Sequence, residues 1–104
     1  LKKILSYRAN AYLVPTEYVD SKISKKDAYG IAFQEYEKWI ESGEKMGELS
    51  DGYDDLLWWT FKADDLLALK TGILPGQRSI SVDKVSGKIR IQIELKQWLD
   101  LQSV

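Results

Sequence analysis

The sequence predicts an α+β fold, a two-layer single domain spanning residues 1–104. A small antiparallel sheet, made of an N-terminal strand and a C-terminal hairpin, is expected to pack on two helices. Three observations predict it. Residues 24–42, SKKDAYGIAFQEYEKWIES, carry apolar side chains at helical spacing behind a capping serine. Residues 78–94, RSISVDKVSGKIRIQIE, alternate apolar and polar about a glycine turn. The chain has 104 residues, 44% of them apolar and 30% charged, enough for one buried core and too few for two.

Residues 1–14 fit two templates. Leu5, Tyr7, Ala9, Ala11 and Leu13 alternate as in a half-buried strand, while Leu1, Ile4, Leu5, Ala9, Tyr12 and Leu13 also fit a helical stripe. Strand is expected for the later part, because Tyr, Leu and Val cluster before Pro15 and the residue preceding proline is pushed to extended geometry. The segment after Pro15 reads as a connection with at most a turn of helix.

The helix over 24–42 is the clearest element. Ser24 is the N-cap, with Asp27 as the acid of a capping box, and Gly43 is a left-handed terminator. Ala28, Tyr29, Ala32, Phe33, Tyr36, Trp39 and Ile40 share its core side, and Glu35, Glu37, Lys38 and Glu41 fall mostly opposite.

Residues 44–52 read as a loop, and a second helix is expected from Tyr53 to Thr71. It contains DDLLWWTFKADDLLALK, with two copies of Asp-Asp-Leu-Leu ten residues apart. Ten residues turn a helix by about 1000°, so the copies face different directions and are no repeat. On the helical projection Leu56, Leu57, Thr60, Phe61, Ala63, Leu67 and Ala68 face the core. Asp54, Asp55, Trp58, Lys62 and Asp65 face away. Asp64 falls in the core arc, which is costly unless the helix breaks near it or it finds a donor.

Gly72 ends this helix, and Pro75-Gly76 makes a turn. In the hairpin that follows, Ile80 and Val82 alternate on one strand and Ile89, Ile91 and Ile93 on the other, with Gly87 at the position needing positive φ. The tail LKQWLDLQSV fits a short amphipathic turn with Leu95, Trp98 and Leu99 inward.

Composition removes whole classes of chemistry. With no Cys there are no disulfides and no thiolate. With no His there is no Ser-His-Asp or Cys-His nucleophile, and the commonest zinc ligands are missing. Gly52 directly after Asp51 does not make an EF-hand ladder. TGILPG lacks the Lys-Ser/Thr of a phosphate loop. Adjacent aspartates on a helix point apart, so they form no glycosidase pair. No catalytic residue, metal ligand or cofactor-binding residue is expected, and the chain is read as no enzyme. No apolar run is long enough to cross a membrane. No signal-peptide core is present; the compartment is not encoded, and the cytoplasm is the default expectation.

Charge is uneven. Residues 1–40 carry seven basic and five acidic side chains, net +2. Residues 41–65 carry two and eight, net −6, and residues 66–104 carry six and three, net +3. Four Trp and six Tyr are many for this length and suit either a core or an interface.

The function expected from these features is non-catalytic protein binding, of inhibitor or immunity-protein type. The partner is a basic surface on a nuclease or nucleic-acid-handling enzyme. The expected contact set is the acidic, Trp-bearing helix face: Asp51, Asp54, Asp55, Trp58, Lys62 and Asp65. The alternative is a nucleic-acid-binding domain of winged-helix-like outline that uses Lys70, Arg78, Lys84, Lys88 and Arg90. The acids preceding that hairpin argue against it.

Overall fold

The computed structural model describes residues 1–73 and 75–102. The chain begins with a hairpin, β1 (Lys2–Tyr7) and β2 (Asn10–Pro15), in register with Leu5 opposite Tyr12. Its two-residue loop, Arg8-Ala9, has positive φ at both positions, 49° and 66°. That is type I′ geometry, in which the turn matches the twist of the strands. A short α1 (Glu17–Asp20) leads to α2 (Lys25–Glu41). Ser24 caps α2 by accepting from the Asp27 amide at 3.0 Å, and Gly43 follows with φ +92°.

The second predicted helix is corrected. Residues 53–64 form β3 (Tyr53–Asp55) and β4 (Trp58–Asp64), and only α3 (Leu66–Thr71) is helical. The break falls at Asp65, whose side chain caps α3 by accepting from the Ala68 amide at 3.0 Å. β5 (Gln77–Asp83) and β6 (Ile89–Arg90) complete an antiparallel four-stranded sheet of order β3-β4-β5-β6. β1 and β2 form a separate two-stranded sheet.

The physical reason is alternation. Trp59, Phe61 and Ala63 point to one face of β4, and Trp58, Thr60 and Lys62 to the other. The first set joins Ile80 and Val82 against Ala28, Ala32 and Leu49, which places α2 over that face. On the opposite face Leu56, Leu57 and Trp58 pack with Tyr12, Val14 and Leu95. The helical projection drew Leu56, Leu57 and Thr60 from one face and Phe61 and Ala63 from the other into one stripe, and put Trp58 outside it. The α+β class, with a single domain built from antiparallel strands and helices, is as expected.

The second strand of the C-terminal hairpin is shorter than predicted. It stops at Arg90, and α4 (Gln92–Gln102) begins where Ile91 and Ile93 were expected to alternate. Both isoleucines are exposed. Leu95 is buried and Trp98 and Leu99 are packed against that core, so spacing of three and four wins over period two. Gly87 has φ +72°, as the turn requires. The predicted tail ran on through positions 103 and 104, which lie outside the described residues. Among the described residues, no helix is long and apolar enough to cross a membrane.

Candidate functional site

Two polar networks are built on buried aspartates. In the first, Asp55 is fully buried at the end of β3. It accepts from the hydroxyl of Tyr7, from Thr60 Oγ1 at 2.9 Å and from Gln92 Nε2 at 3.2 Å. Gln92 Nε2 also donates to Ser81 Oγ at 2.9 Å, and Arg8 stands 3.9 Å from Asp55. Thr60 and Ser81 face each other in the β4–β5 register, which explains their 2.9 Å contact. Burial raises the Tyr7 hydroxyl pKa first, and its hydrogen bond to Asp55 and that residue's charge raise it further. Polar groups from three separate parts of the chain thus satisfy one buried carboxylate. A hollow of about 410 Å³ lies beside it, walled in part by Ile93, Leu95 and Leu99.

In the second network, Asp83 accepts from the amides of Val85 and Ser86 at 2.8 and 2.9 Å and from the Tyr18 hydroxyl at 3.0 Å. Burial pushes Asp83 upward, but these donors and the nearby Arg90 outweigh it and hold the carboxyl below its usual range. Tyr18 is pushed up to about 12 by burial, then by the charge and hydrogen bond of Asp83. Lys84 is buried, and burial lowers its pKa against the opposing pull of Asp54, which it meets at 2.8 Å.

The predicted contact set does not form one surface. Asp51 is exposed, and Asp54 is exposed but engaged by Lys84 and the Leu56 amide. Asp55 is the buried centre of the first network. Trp58 is 4% exposed, so its expected outward position is wrong. Lys62 lies half-buried over the Tyr53 ring at 5.6 Å, and Asp65 is spent as a cap. Residues 51–65 therefore form no acidic helix face with an exposed Trp.

The alternative basic set is also dispersed. Arg78 pairs with Glu44 and stacks 3.9 Å from the Trp39 ring centroid. Lys84 is buried on Asp54, and Arg90 reaches Asp83 at 3.5 Å and Glu94 at 3.7 Å. Lys70 and Lys88 are exposed, on α3 and in the β5–β6 turn. Among the described residues, no group of three or more acidic side chains is arranged to hold a metal ion.

What the structure does assemble is an acid-rimmed aromatic groove on α2. Tyr29, Phe33, Tyr36 and Trp39 form a ladder along the helix, with ring centroids 5.9, 5.6 and 6.4 Å apart. Tyr36 is fixed by donating to the Gly47 carbonyl at 2.7 Å. The helical projection assigned Phe33 and Ile40 to the core, but they are 37% and 44% exposed. Ala28 and Ala32 make the close contact instead, and the larger side chains flank it. Phe33, Tyr36, Glu37, Ile40 and Glu41 line a hollow of about 370 Å³. A second, of about 430 Å³, shares Phe33 and Tyr36 and adds Tyr29, Glu48 and Leu49. No basic side chain lines either hollow. The sequence signal for this site was present in the run of glutamates beside the aromatic stripe, but the stripe was wide enough to read as core throughout.

No protein-family model, curated protein or solved structure matches the chain.

Proposed function

We propose that this is a non-catalytic protein-binding domain, of inhibitor or immunity type, that meets a basic partner surface through the α2 groove. One observation carries the reading: Phe33 and Ile40 are exposed beside Glu37 and Glu41 in a hollow that no basic side chain lines. Exposed apolar surface rimmed by polar groups marks interaction sites. Aromatic side chains supply binding energy there, and the surrounding charge sets partner choice and on-rate. Nucleases and nucleic-acid-handling enzymes carry basic clefts and are the natural partner class. The reading keeps the partner chemistry expected from the sequence and moves the contact from residues 51–65 to residues 33–48.

The test is inhibition of a panel of purified nucleases, with binding measured by surface plasmon resonance. At least one nuclease should be inhibited, with an on-rate that falls as salt rises, because exposed charges are screened over about 8 Å at physiological ionic strength. Phe33→Ser combined with Ile40→Ser should weaken that binding by at least about tenfold, or about 1.4 kcal/mol. No inhibition across the panel, or binding that the double substitution leaves intact, counts against the reading.

A further inference from the structure

The outer edge of β1 is open. The Thr16 amide donates to the Leu1 carbonyl at 3.2 Å, which fixes the phase of the hairpin ladder. Lys3, Leu5 and Tyr7, in step with Leu1, turn their backbone groups toward β2. Lys2, Ile4 and Ser6 turn theirs away, and all three residues are exposed. Pro15, which has no N–H, lies opposite Lys2 in the outward phase, as this assignment requires. Among the described residues, the outward groups of Lys2, Ile4 and Ser6 have no backbone partner. β1 has no proline and no bulge in its register. Such an edge is a template for another strand.

A cavity of about 470 Å³ runs along the same strand. Four consecutive residues, Leu5–Arg8, line it, so the strand backbone itself forms one wall. Opposite stand Tyr18, Lys22, Asp54 and Lys84. Asp54 and Lys84 neutralise each other at 2.8 Å. Arg8 stands 3.9 Å from Asp55 but keeps most of its side chain in solvent, at 70% exposure, and Lys22 is exposed, so the cavity retains a positive balance even with Asp55 counted. Residues 1–16 contain Lys2, Lys3 and Arg8 and no acid, although Asp20 pairs with Lys3 at 2.8 Å.

We infer that the open edge of β1 takes an extended acidic segment of a partner protein by strand addition, with one carboxylate side chain seated in the cavity between Arg8 and Lys22. Main-chain hydrogen bonds to Lys2, Ile4 and Ser6 supply affinity, and the cavity supplies side-chain selection. This surface is separate from the α2 groove and has the opposite charge, so it stands or falls independently of the proposed function.

The probe is a blocked hexapeptide alternating Glu and Val, with a Lys-Val peptide as control, followed by amide hydrogen exchange on the full chain. The Glu-Val peptide should slow exchange at Ile4 and Ser6 by at least about tenfold in the bound state, and the Lys-Val peptide should not. Ile4→Pro removes only an outward donor and should weaken binding by at least about tenfold, with the melting temperature kept. Lys22→Glu, an exposed change, should weaken it as well and decides the matter if Ile4→Pro lowers the melting temperature. Protection absent or located elsewhere overturns the inference. So does equal protection by the Lys-Val peptide, or stronger protection by a single-stranded oligonucleotide.

Discussion

The Tyr7 hydroxyl donates to the carboxylate of Asp55, 48 residues away, and Asp55 has no exposed surface. This contact ties the N-terminal hairpin to the end of β3. A two-stranded hairpin alone is marginal in water, so β1 and β2 depend on such ties. Tyr7→Phe leaves a buried acceptor short of one donor and should cost about 1–3 kcal/mol in urea unfolding. The cross-strand amides of Lys3, Leu5, Tyr7, Asn10, Tyr12 and Val14 should exchange faster, while those of α2 keep their protection.

Alkaline pH should act on the same ties. Tyr7 and Tyr18 are both raised in the folded state, Tyr18 to about 12. Tyrosine in an unfolded chain titrates near about 10. A raised folded pKa means that the stabilisation is fully present below the unfolded value and is lost as pH rises through the folded one. The tyrosine contribution to stability should therefore be flat up to about pH 10 and then fall. Urea midpoints measured from pH 8 upward would follow this, and Tyr7→Phe and Tyr18→Phe should each flatten the decline.

Two tight turns hold non-glycine residues at positive φ, and they should respond oppositely to glycine. Ala9, with φ +66°, is exposed at the tip of the first hairpin. Ala9→Gly should stabilise by about 0.5–1 kcal/mol, because the left-handed region is strained for any residue with a Cβ. Leu56, with φ +62°, is only 5% exposed and packs in the core. Leu56→Gly should destabilise by about 1–3 kcal/mol, since lost burial outweighs relieved strain. Thermal melts of both variants check the pair of signs.

The helical projections and the folded structure make opposite predictions for two aromatics, because the projections placed Phe33 in the core and Trp58 outside it. Trp58 is 4% exposed, so Trp58→Ala should cost about 3–5 kcal/mol. Phe33, at 37% exposure, should cost about 1 kcal/mol on truncation to Ala. Equilibrium unfolding of the two variants gives the order directly.

The sequence made α2 legible because its cap, its stripe and its terminating glycine all agree. β5 was legible for the same kind of reason: its period-two pattern ends in a turn with glycine at the required φ. Residues 53–64 were misread because the turn between β3 and β4 is Leu56-Leu57, with no glycine, asparagine or proline to mark it. The flanking run has apolar side chains on both faces, since the hairpin and α4 cover one and α2 the other. A strand buried on both sides has no clean period of two, and helical spacing then fits it by chance. The acidic surface was inferred from composition over residues 41–65, but its members scatter in space. Asp55 went to the interior, Asp65 to a cap and Glu44 to Arg78. Glu41 and Glu48 stayed beside the aromatic groove, where Glu37 of α2 joins them. Linear charge density carries no information about which side chains share a face, so the acid-rimmed groove became visible only once α2 was packed.

The α2 groove, rather than residues 51–65, is the proposed receptor for a basic apolar surface. Its most direct test is amide chemical-shift mapping during titration with a blocked amphipathic helical peptide of lysine and leucine. The largest shifts should fall at Phe33, Glu37, Ile40, Glu41 and Glu48, and should vanish in the Phe33→Ser, Ile40→Ser double variant. Shifts concentrated at Asp51, Asp54 and Lys62, or unchanged by the double substitution, would contradict that proposal.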